Sequence, residues 1–380
     1  MTFLLYFALF YSLIFLILII GLIRMRVKNI KGNNITLKEQ NIYVIIACKD
    51  EENNIDRLIE SLKEQSYSKN KFKVILADDN SADNTASVIK NKIKDIDNFH
   101  YLYVPADCYQ NVLGKKKALT YAIEYALSED TAIDILAFTD ADCLPEKDWL
   151  IDINKAFLND YDFYAGYSPI DFPDKDKLSN IYSRLKNMER ASIFAVSAAG
   201  FGMNIPLTCT ARNIAYHASL WKQTKGFSGI EHILSGDDDL MLHKSSNYIN
   251  KTYFSFNQNA IVHSTNENNL SKQYNQEIRR ASKFLYYPLY IKLLIISVII
   301  FYIFLIYNII YSIINLTFSL DLFYSLTLKV LFEFMFLFLF LMFIKKIKLI
   351  RTFLLAQILY IPYFLFFGIM GSFGKYKWKN

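Results

Sequence analysis

Apolar residues along this chain fall into three regimes. The first is an uncharged 21-residue run from Phe3 to Ile23, long enough at helical rise to cross a bilayer. The last lies at about 293–370 and divides into three apolar segments near 293–314, 322–344 and 353–370. Between them, short apolar runs alternate with stretches whose apolar positions recur at helical spacing. The runs at 42–47, 72–77, 101–104 and 133–139 predict strands, and the stretches at 53–64, 85–94, 115–127 and 149–158 predict helices. Apolar strands alternating with helices predict an α/β fold, a mostly parallel sheet covered on both faces. Ligands of such sheets bind beyond the C-terminal strand ends. Past 163–168 the alternation weakens, and a long amphipathic segment at 178–198 precedes a stretch rich in small and polar residues at 200–213.

These regimes predict an N-terminal anchor over 1–24, an α/β domain over 40–285 and a C-terminal membrane region of two to three helices over 290–372. Met1-Thr2 carries no basic side chain and no small-residue cleavage site follows the first run, so it reads as an uncleaved anchor. Arg24, Arg26, Lys28 and Lys31 follow it directly, which places the catalytic domain on the cytoplasmic side of a multi-pass cell-membrane protein. Four crossings would put Lys375, Lys377 and Lys379 outside, against the same rule. Either the last segment, interrupted by Pro362 and Gly368, is re-entrant or interfacial, or the rule fails.

The net charge of +6 is concentrated at these edges. Three clusters (Arg24/Arg26/Lys28/Lys31, Lys345/Lys346/Lys348/Arg351 and Lys375/Lys377/Lys379) hold eleven of the 42 basic residues, leaving 31 basic against 36 acidic. That balance argues against a nucleic-acid partner. Four cysteines without a C-x-x-C pair argue against a zinc site, and Cys143 reads as a small buried filler.

Candidate chemistry collects just past the predicted strands. Thr139-Asp140-Ala141-Asp142 places two carboxylates one residue apart, a hard-oxygen site for a divalent cation that bridges to a nucleotide diphosphate. Asp50-Glu51-Glu52 and Asp78-Asp79 lie on the same expected edge, suited to a pyrimidine N–H and to base or ribose hydroxyls. Capping of the helices that follow is the alternative for each loop. Gly114-Lys115-Lys116-Lys117 opens a helix whose amides and charges suit phosphates, or forms a solvated basic face. Ser235-Gly236-Asp237-Asp238-Asp239-Leu240 offers a general base, or an acidic helix N-terminus. Gln276-Glu277-Ile278-Arg279-Arg280 presents Gln276, Arg279 and Arg280 on one helical face, with donors for diphosphate oxygens, acceptor hydroxyls or lipid headgroups.

Taken in order, Asp50, Asp78-Asp79-Asn80-Ser81-x-Asp83-x-Thr85, Thr139-Asp140-Ala141-Asp142, Gly236-Asp237-Asp238 and Gln276-x-x-Arg279-Arg280 resemble the family 2 glycosyltransferases of GT-A fold. The branch they resemble is the membrane-bound one that includes cellulose, chitin, hyaluronan and ceramide-glucosyl synthases. The resemblance covers roughly 43–283. It implies nucleotide-sugar binding by Asp50, Glu52, Asp79, Lys116 and Asp140, and a divalent metal (Mg²⁺ or Mn²⁺) on Asp142 with Asp140. It further implies catalysis by Asp238 with Asp237, and diphosphate or acceptor binding by Gln276, Arg279 and Arg280.

Two positions depart from the family pattern. Arg280 replaces the usual Trp, and Asp237 the usual Glu. The missing aromatic platform favours single addition over processive synthesis. The expected activity is inverting transfer from a nucleotide-sugar, UDP-linked by expectation, to a lipid-linked or glycan acceptor at the membrane, with a β-linkage from an α donor. The rivals are a processive polysaccharide synthase and a non-catalytic nucleotide-sugar-binding scaffold. A two-carboxylate hydrolase gives no reason for nucleotide loops, and Leu144 disfavours a phosphotransferase loop.

Overall fold

The computed structural model describes residues 3–31, 38–171, 177–265 and 270–373. The basic cluster at 375–379 and the side chain of Lys31 lie outside the described residues. Contacts divide the chain into an α/β unit, Met25–Pro173 with Phe201–Asn266, and a helical unit, Met1–Arg24 with Asp174–Gly200 and Glu267–Asn380.

In chain order the elements begin with α1 (Phe3–Lys31), β1 (Ile42–Cys48), α2 (Ile55–Lys63), β2 (Phe72–Asp78), α3 (Thr85–Ile93), β3 (Phe99–Tyr103), α4 (Lys115–Glu129) and β4 (Ile135–Phe138). There follow β5 (Cys143–Pro145), α5 (Trp149–Leu158), β6 (Phe163–Gly166), β7 (Ile170–Asp171), α6 (Lys177–Gly202), β8 (Ile214–His217), α7 (Ala218–Thr224) and α8 (Asp239–Ser245). The chain closes with β9 (Thr252–Ser255), β10 (Val262–Thr265), α9 (Leu270–Ser282), α10 (Leu289–Ile314), α11 (Leu320–Phe343) and α12 (Phe353–Phe373).

The main sheet of the α/β unit has the order β3-β2-β1-β4-β8-β6-β9. β3, β2, β1 and β4 run parallel, and β8 is antiparallel to both β4 and β6. Ile42, Val44, Ile46 and Cys48 of β1 join Phe72, Val74 and Leu76 of β2 in one core with α2, α3 and α5. The alternate residues Tyr43, Ile45, Ile75 and Ala77 are buried as well, and α4 packs against both strands. Burial on both faces explains why these strands read as continuous apolar runs. The amphipathic helix signal is equally direct: α2 buries Ile55, Leu58, Ile59 and Leu62, an i, i+3, i+4, i+7 stripe.

The expected α/β fold is therefore observed, a mixed fold with a mostly parallel central sheet. Boundaries shift by a few residues, β3 beginning at Phe99 and β4 shortening to Ile135–Phe138. A second sheet, β5-β10-β7, has strands of two to four residues, too short to leave a period in sequence.

Among the described residues four helices are long and apolar enough to cross a membrane: Phe3–Asn29, Leu289–Ile314, Leu320–Phe343 and Ile347–Gly371. α1, α10 and α11 share a core of Leu4, Ala8, Tyr11, Phe301, Tyr302, Leu305 and Leu322, with Phe364 and Leu365 of α12 packed against it. Their outward positions are apolar too, Phe3, Ile314, Leu354 and Ile358 each being more than 70% exposed. Inside this core lies a polar network. Tyr11 Oη donates to Glu333 Oε1 at 2.5 Å and lies 3.0 Å from Tyr302 Oη. Lys329 pairs with Glu333 at 2.9 Å and donates to Gln357, whose Nε2 donates to Glu333 Oε2 at 2.7 Å.

Candidate active site

The C-terminal edge of β1, β2 and β4 carries the three acidic loops, as the parallel register requires. The first two loops are tied together. Asp50, in the left-handed region at φ 52°, accepts the Ala82 amide on Oδ1 at 2.8 Å. Glu52 Oε2 accepts both the Asn84 amide and Asn84 Nδ2 at 3.0 Å. In return Asp83 accepts the Glu52 amide at 3.1 Å, and Ser81 Oγ accepts the Asp50 amide at 3.0 Å. Asp50 and Glu52 thus join two loops, although a carboxylate retains further lone pairs for a ligand. They do not cap α2, whose N-cap is Asn54.

The Asp78-Asp79 pair divides its work. Asp78 is buried and accepts from Tyr101 Oη at 2.9 Å and the Ser81 amide at 3.0 Å, which makes it structural. Asp79 donates its amide to Cys48 O at 2.9 Å, and its carboxylate lies 3.9 Å from Lys117 Nζ.

Asp140 is the hub of the third loop. It pairs with Lys115, which also reaches Asp237 Oδ2 at 3.3 Å, and its Oδ2 lies 3.4 Å from Arg212 Nε. Sheet register explains the arginine. Phe138 of β4 pairs with Ile214 of the antiparallel β8, so the residue two past β4's end meets the residue two before β8's start. No local pattern announces that meeting, and the sequence reading passed over Arg212.

Lys115 was legible only as one of three lysines, and the expectation settled on Lys116. The structure places the two side chains differently. Lys116 is 1% exposed, and its Nζ donates to the Ile233 and Ser235 carbonyls, so it fastens the acidic turn from beneath. The adjoining Lys115 carries the charge into the site. Gly114 makes this close approach possible: it sits at φ +64°, and a Cβ there would stand 2.5 Å from the Leu234 carbonyl oxygen.

The triplet at 237–239 sends its three carboxylates to different tasks. Asp237 meets Lys115. Asp238 accepts the Asp239 amide at 2.7 Å and the Ala211 amide at 3.4 Å, so capping of α8 is also real. Asp239 is buried and accepts the Leu240 amide at 2.9 Å. The 200–213 stretch, read as suited to sugar contact, contains a structural asparagine. Asn213 is buried, accepts Trp149 Nε1 at 2.8 Å and donates to the Tyr167 and Ala260 carbonyls at 3.3 Å.

Electrostatics separate the two carboxyls of the Asp-x-Asp pair. Burial opposes ionisation of Asp140, but Lys115 and Arg212 outweigh it and hold its carboxyl below the usual carboxylate range. Burial dominates at Asp142 and pushes its carboxyl up, Arg212 only partly offsetting it. One ligand atom from each of Asp140, Asp142 and Cys143 lies within 4.8 Å of the others. Oxygen donors dominate this set, and a cation would relieve the burial cost of Asp142, so the residues fit a divalent metal. Cys143, whose thiol is 3.5 Å from Asp142 Oδ1, is held well above its ordinary value by burial and by the two aspartates.

Gln276, Arg279 and Arg280 lie on α9 in the helical unit. Arg280 is held by Glu277, at 3.1 and 3.2 Å to its two oxygens. Its Nη1 is thus already engaged by a carboxylate of its own helix.

Several known proteins are similar. The Haloferax volcanii protein described as Glycosyltransferase AglE is 25% identical over 149 residues, 39% of this chain and 46% of that relative; the match thus spans about half the relative's length. S. aureus TarS 1-349, solved in complex with UDP-GlcNAc, is 18% identical with a TM-score of 0.44, over 89% of this chain and 93% of that one. The mannosyltransferase PcManGT of Pyrobaculum calidifontis, in complex with GDP-Man and Mn²⁺, is 14% identical with a TM-score of 0.48, over 98% and 99%. Residues 43–206 match the sequence profile of Glycosyl transferase family 2.

Proposed function

We propose that this protein is a glycosyltransferase that moves a sugar from a nucleotide-sugar, UDP-linked in the first reading, to a lipid-linked or glycan acceptor at the membrane. Transfer is a single in-line displacement with inversion, giving a β-linkage from an α donor. The observation that carries the reading is the imbalance at the sheet edge. Asp140, Asp142 and Asp237 gather there, and Lys115 and Arg212 are the cations paired with Asp140 among the described residues. A surplus of carboxylate suits a cation-bridged diphosphate.

Each residue then has a task. Asp50, Glu52 and Asp79 meet the nucleoside, and their loop-joining bonds keep that surface in one conformation. Lys115 and Arg212 hold Asp140 ionised and oriented, and supply positive charge near the diphosphate. Asp142 and Asp140 would hold Mg²⁺ or Mn²⁺, which neutralises charge developing on the departing diphosphate. Asp238, fixed by two main-chain amides, takes the proton of the acceptor hydroxyl as it attacks the anomeric carbon. Asp237 keeps Lys115 in place. Gln276 and Arg279 are assigned to diphosphate or acceptor. The apolar helices suit a cell-membrane protein whose catalytic domain faces the cytoplasm.

The test is nucleotide release and transfer by the purified full chain, screened over UDP- and GDP-sugars with Mg²⁺ and Mn²⁺ and with membrane lipids as acceptors. Metal-dependent release, abolished by Asp142→Ala and stimulated by a lipid fraction, supports the proposal. Donor binding without turnover under every acceptor points to a scaffold. Absence of nucleotide-sugar binding sinks the reading of the acidic loops.

A further inference from the structure

One charged cluster stands apart from the acidic edge and was not foreseen from sequence. It lies within the helical unit, where α6 contributes Lys186 and Glu189, α9 contributes Glu277 and Arg280, and α12 contributes Tyr363. Lys186 Nζ donates to Glu189 Oε2 at 3.0 Å, to Glu277 Oε1 at 3.3 Å and to Tyr363 Oη at 3.5 Å. Tyr363 Oη donates to Glu189 Oε1 at 3.1 Å. Arg280 Nη1 contacts both Glu277 oxygens and lies 3.8 Å from Glu189 Oε1. Two cations meet two carboxylates, so the cluster is neutral as it stands. The carboxylates are only 11–13% exposed, and removing either cation would leave one of them buried without a counter-charge.

The cluster bears on the sequence Gln276-Glu277-Ile278-Arg279-Arg280. Glu277 and Ile278 are buried, so this helix turn is fixed inward through them. Gln276 and Arg279 form another i, i+3 stripe, one residue step (about 100°) around the helix from Glu277 and Arg280. A rotation of α9 that broke the Glu277–Arg280 contact to α6 would move that second stripe as well.

We propose that Arg280 is a positioning residue rather than an anion ligand: held by Glu277 of its own helix and lying 3.8 Å from Glu189 of α6, it acts with the Lys186–Glu277 pair to fix the rotation of α9 against α6 and so sets the direction in which Gln276 and Arg279 are presented. This rests on the transferase reading for what Gln276 and Arg279 do, but not for the pairing itself. Electrostatics agree with the geometry. Burial disfavours the Glu277 carboxylate, yet Arg280 and Lys186 hold it below the ordinary glutamate range.

Two readouts on the full chain in lipid nanodiscs test the proposal. The first is calorimetric binding of UDP and GDP together with turnover. Arg280→Gln leaves the nucleotide dissociation constant within about twofold, because no phosphate bond is lost, while turnover falls about tenfold or more through misplacement. Arg280→Lys recovers part of the turnover, and Glu277→Gln/Arg280→Gln, which restores neutrality, is milder than Arg280→Gln alone. The second is the distance distribution between nitroxides at Ile181 of α6 and Tyr274 of α9, both exposed. It broadens in Arg280→Gln and narrows again in the double variant.

Nucleotide affinity weakened about tenfold by Arg280→Gln, as loss of a charge-assisted phosphate bond predicts, overturns the proposal. So does an unchanged nitroxide distribution. If the wild type neither binds nor turns over any nucleotide-sugar, the transferase reading falls, and the nitroxide pair still decides the pairing.

Discussion

The acidic sheet edge and the polar network among the apolar helices are both buried ionic clusters, yet they are built in opposite ways. Among the helices, one lysine meets one glutamate, and Tyr11, Tyr302 and Gln357 complete their hydrogen bonds. That network is closed: Lys329 is 3% exposed and balanced, with Tyr11 and Gln357 adding partners from two further helices. At the sheet edge Asp140, Asp142 and Asp237 share the cations Lys115 and Arg212 among the described residues, and desolvation pushes the carboxyl of the half-buried Asp142 up. A balanced cluster holds helices together. An unbalanced one suits a cationic ligand.

The largest expected effect lies at the unbalanced cluster. Asp238→Asn should lower turnover by about 10²–10⁴-fold, the usual worth of a general base, with nucleotide binding retained. Turnover near the wild-type rate would move the base elsewhere.

Stability sharpens the contrast next. Lys115→Met strands Asp237 and leaves Asp140 with Arg212 alone, and Glu333→Leu strands Lys329; each should cost about 3–5 kcal/mol, the range for breaking a buried pair. Thermal unfolding in detergent with and without Mg²⁺ distinguishes them. The divalent ion should restore part of the first loss and none of the second, and equal responses would erase the distinction between open and closed clusters.

Removing both partners is a milder change. Lys329→Met/Glu333→Leu should be more stable than either single variant, since no charge is then left alone. Strictly additive losses in the same assay would show that the pair is not coupled. Tyr11→Phe should cost about 1.5–3 kcal/mol for one hydrogen bond to a charged group, read as a lowered unfolding midpoint.

The smallest effect is on pH. The Glu277 carboxyl is depressed in the folded chain, where Lys186, Arg280, Glu189 and Tyr363 surround it. Its stabilisation is therefore present above the ordinary glutamate value of about 4.3 and is lost as pH falls through the lower, folded value. Glu277→Gln should flatten the acid limb of a stability profile, and an unchanged limb would assign that loss to other carboxylates.

The sequence alone determined the elements whose signal is local. Continuous apolar runs gave β1, β2 and the core of β4 because both faces of those strands are buried. The i, i+3, i+4 stripe gave α2, and apolar length gave the apolar helices. The acidic loops were legible because parallel strands put their C-terminal ends on one edge, which alternation with helices already implies.

Tertiary structure alone decided which side chains meet there. Arg212 reaches Asp140 only because β8 runs antiparallel to β4 in one register. Lys115 rather than Lys116 faces the carboxylates because of the rotation of α4 fixed by its seat against the 233–235 turn. Arg280 lies beside Glu189 because α6, distant in sequence, packs beside α9. Local pattern sets which residues are buried and in what element; partner identity depends on register and helix rotation, and those are set by contacts between segments far apart in the chain.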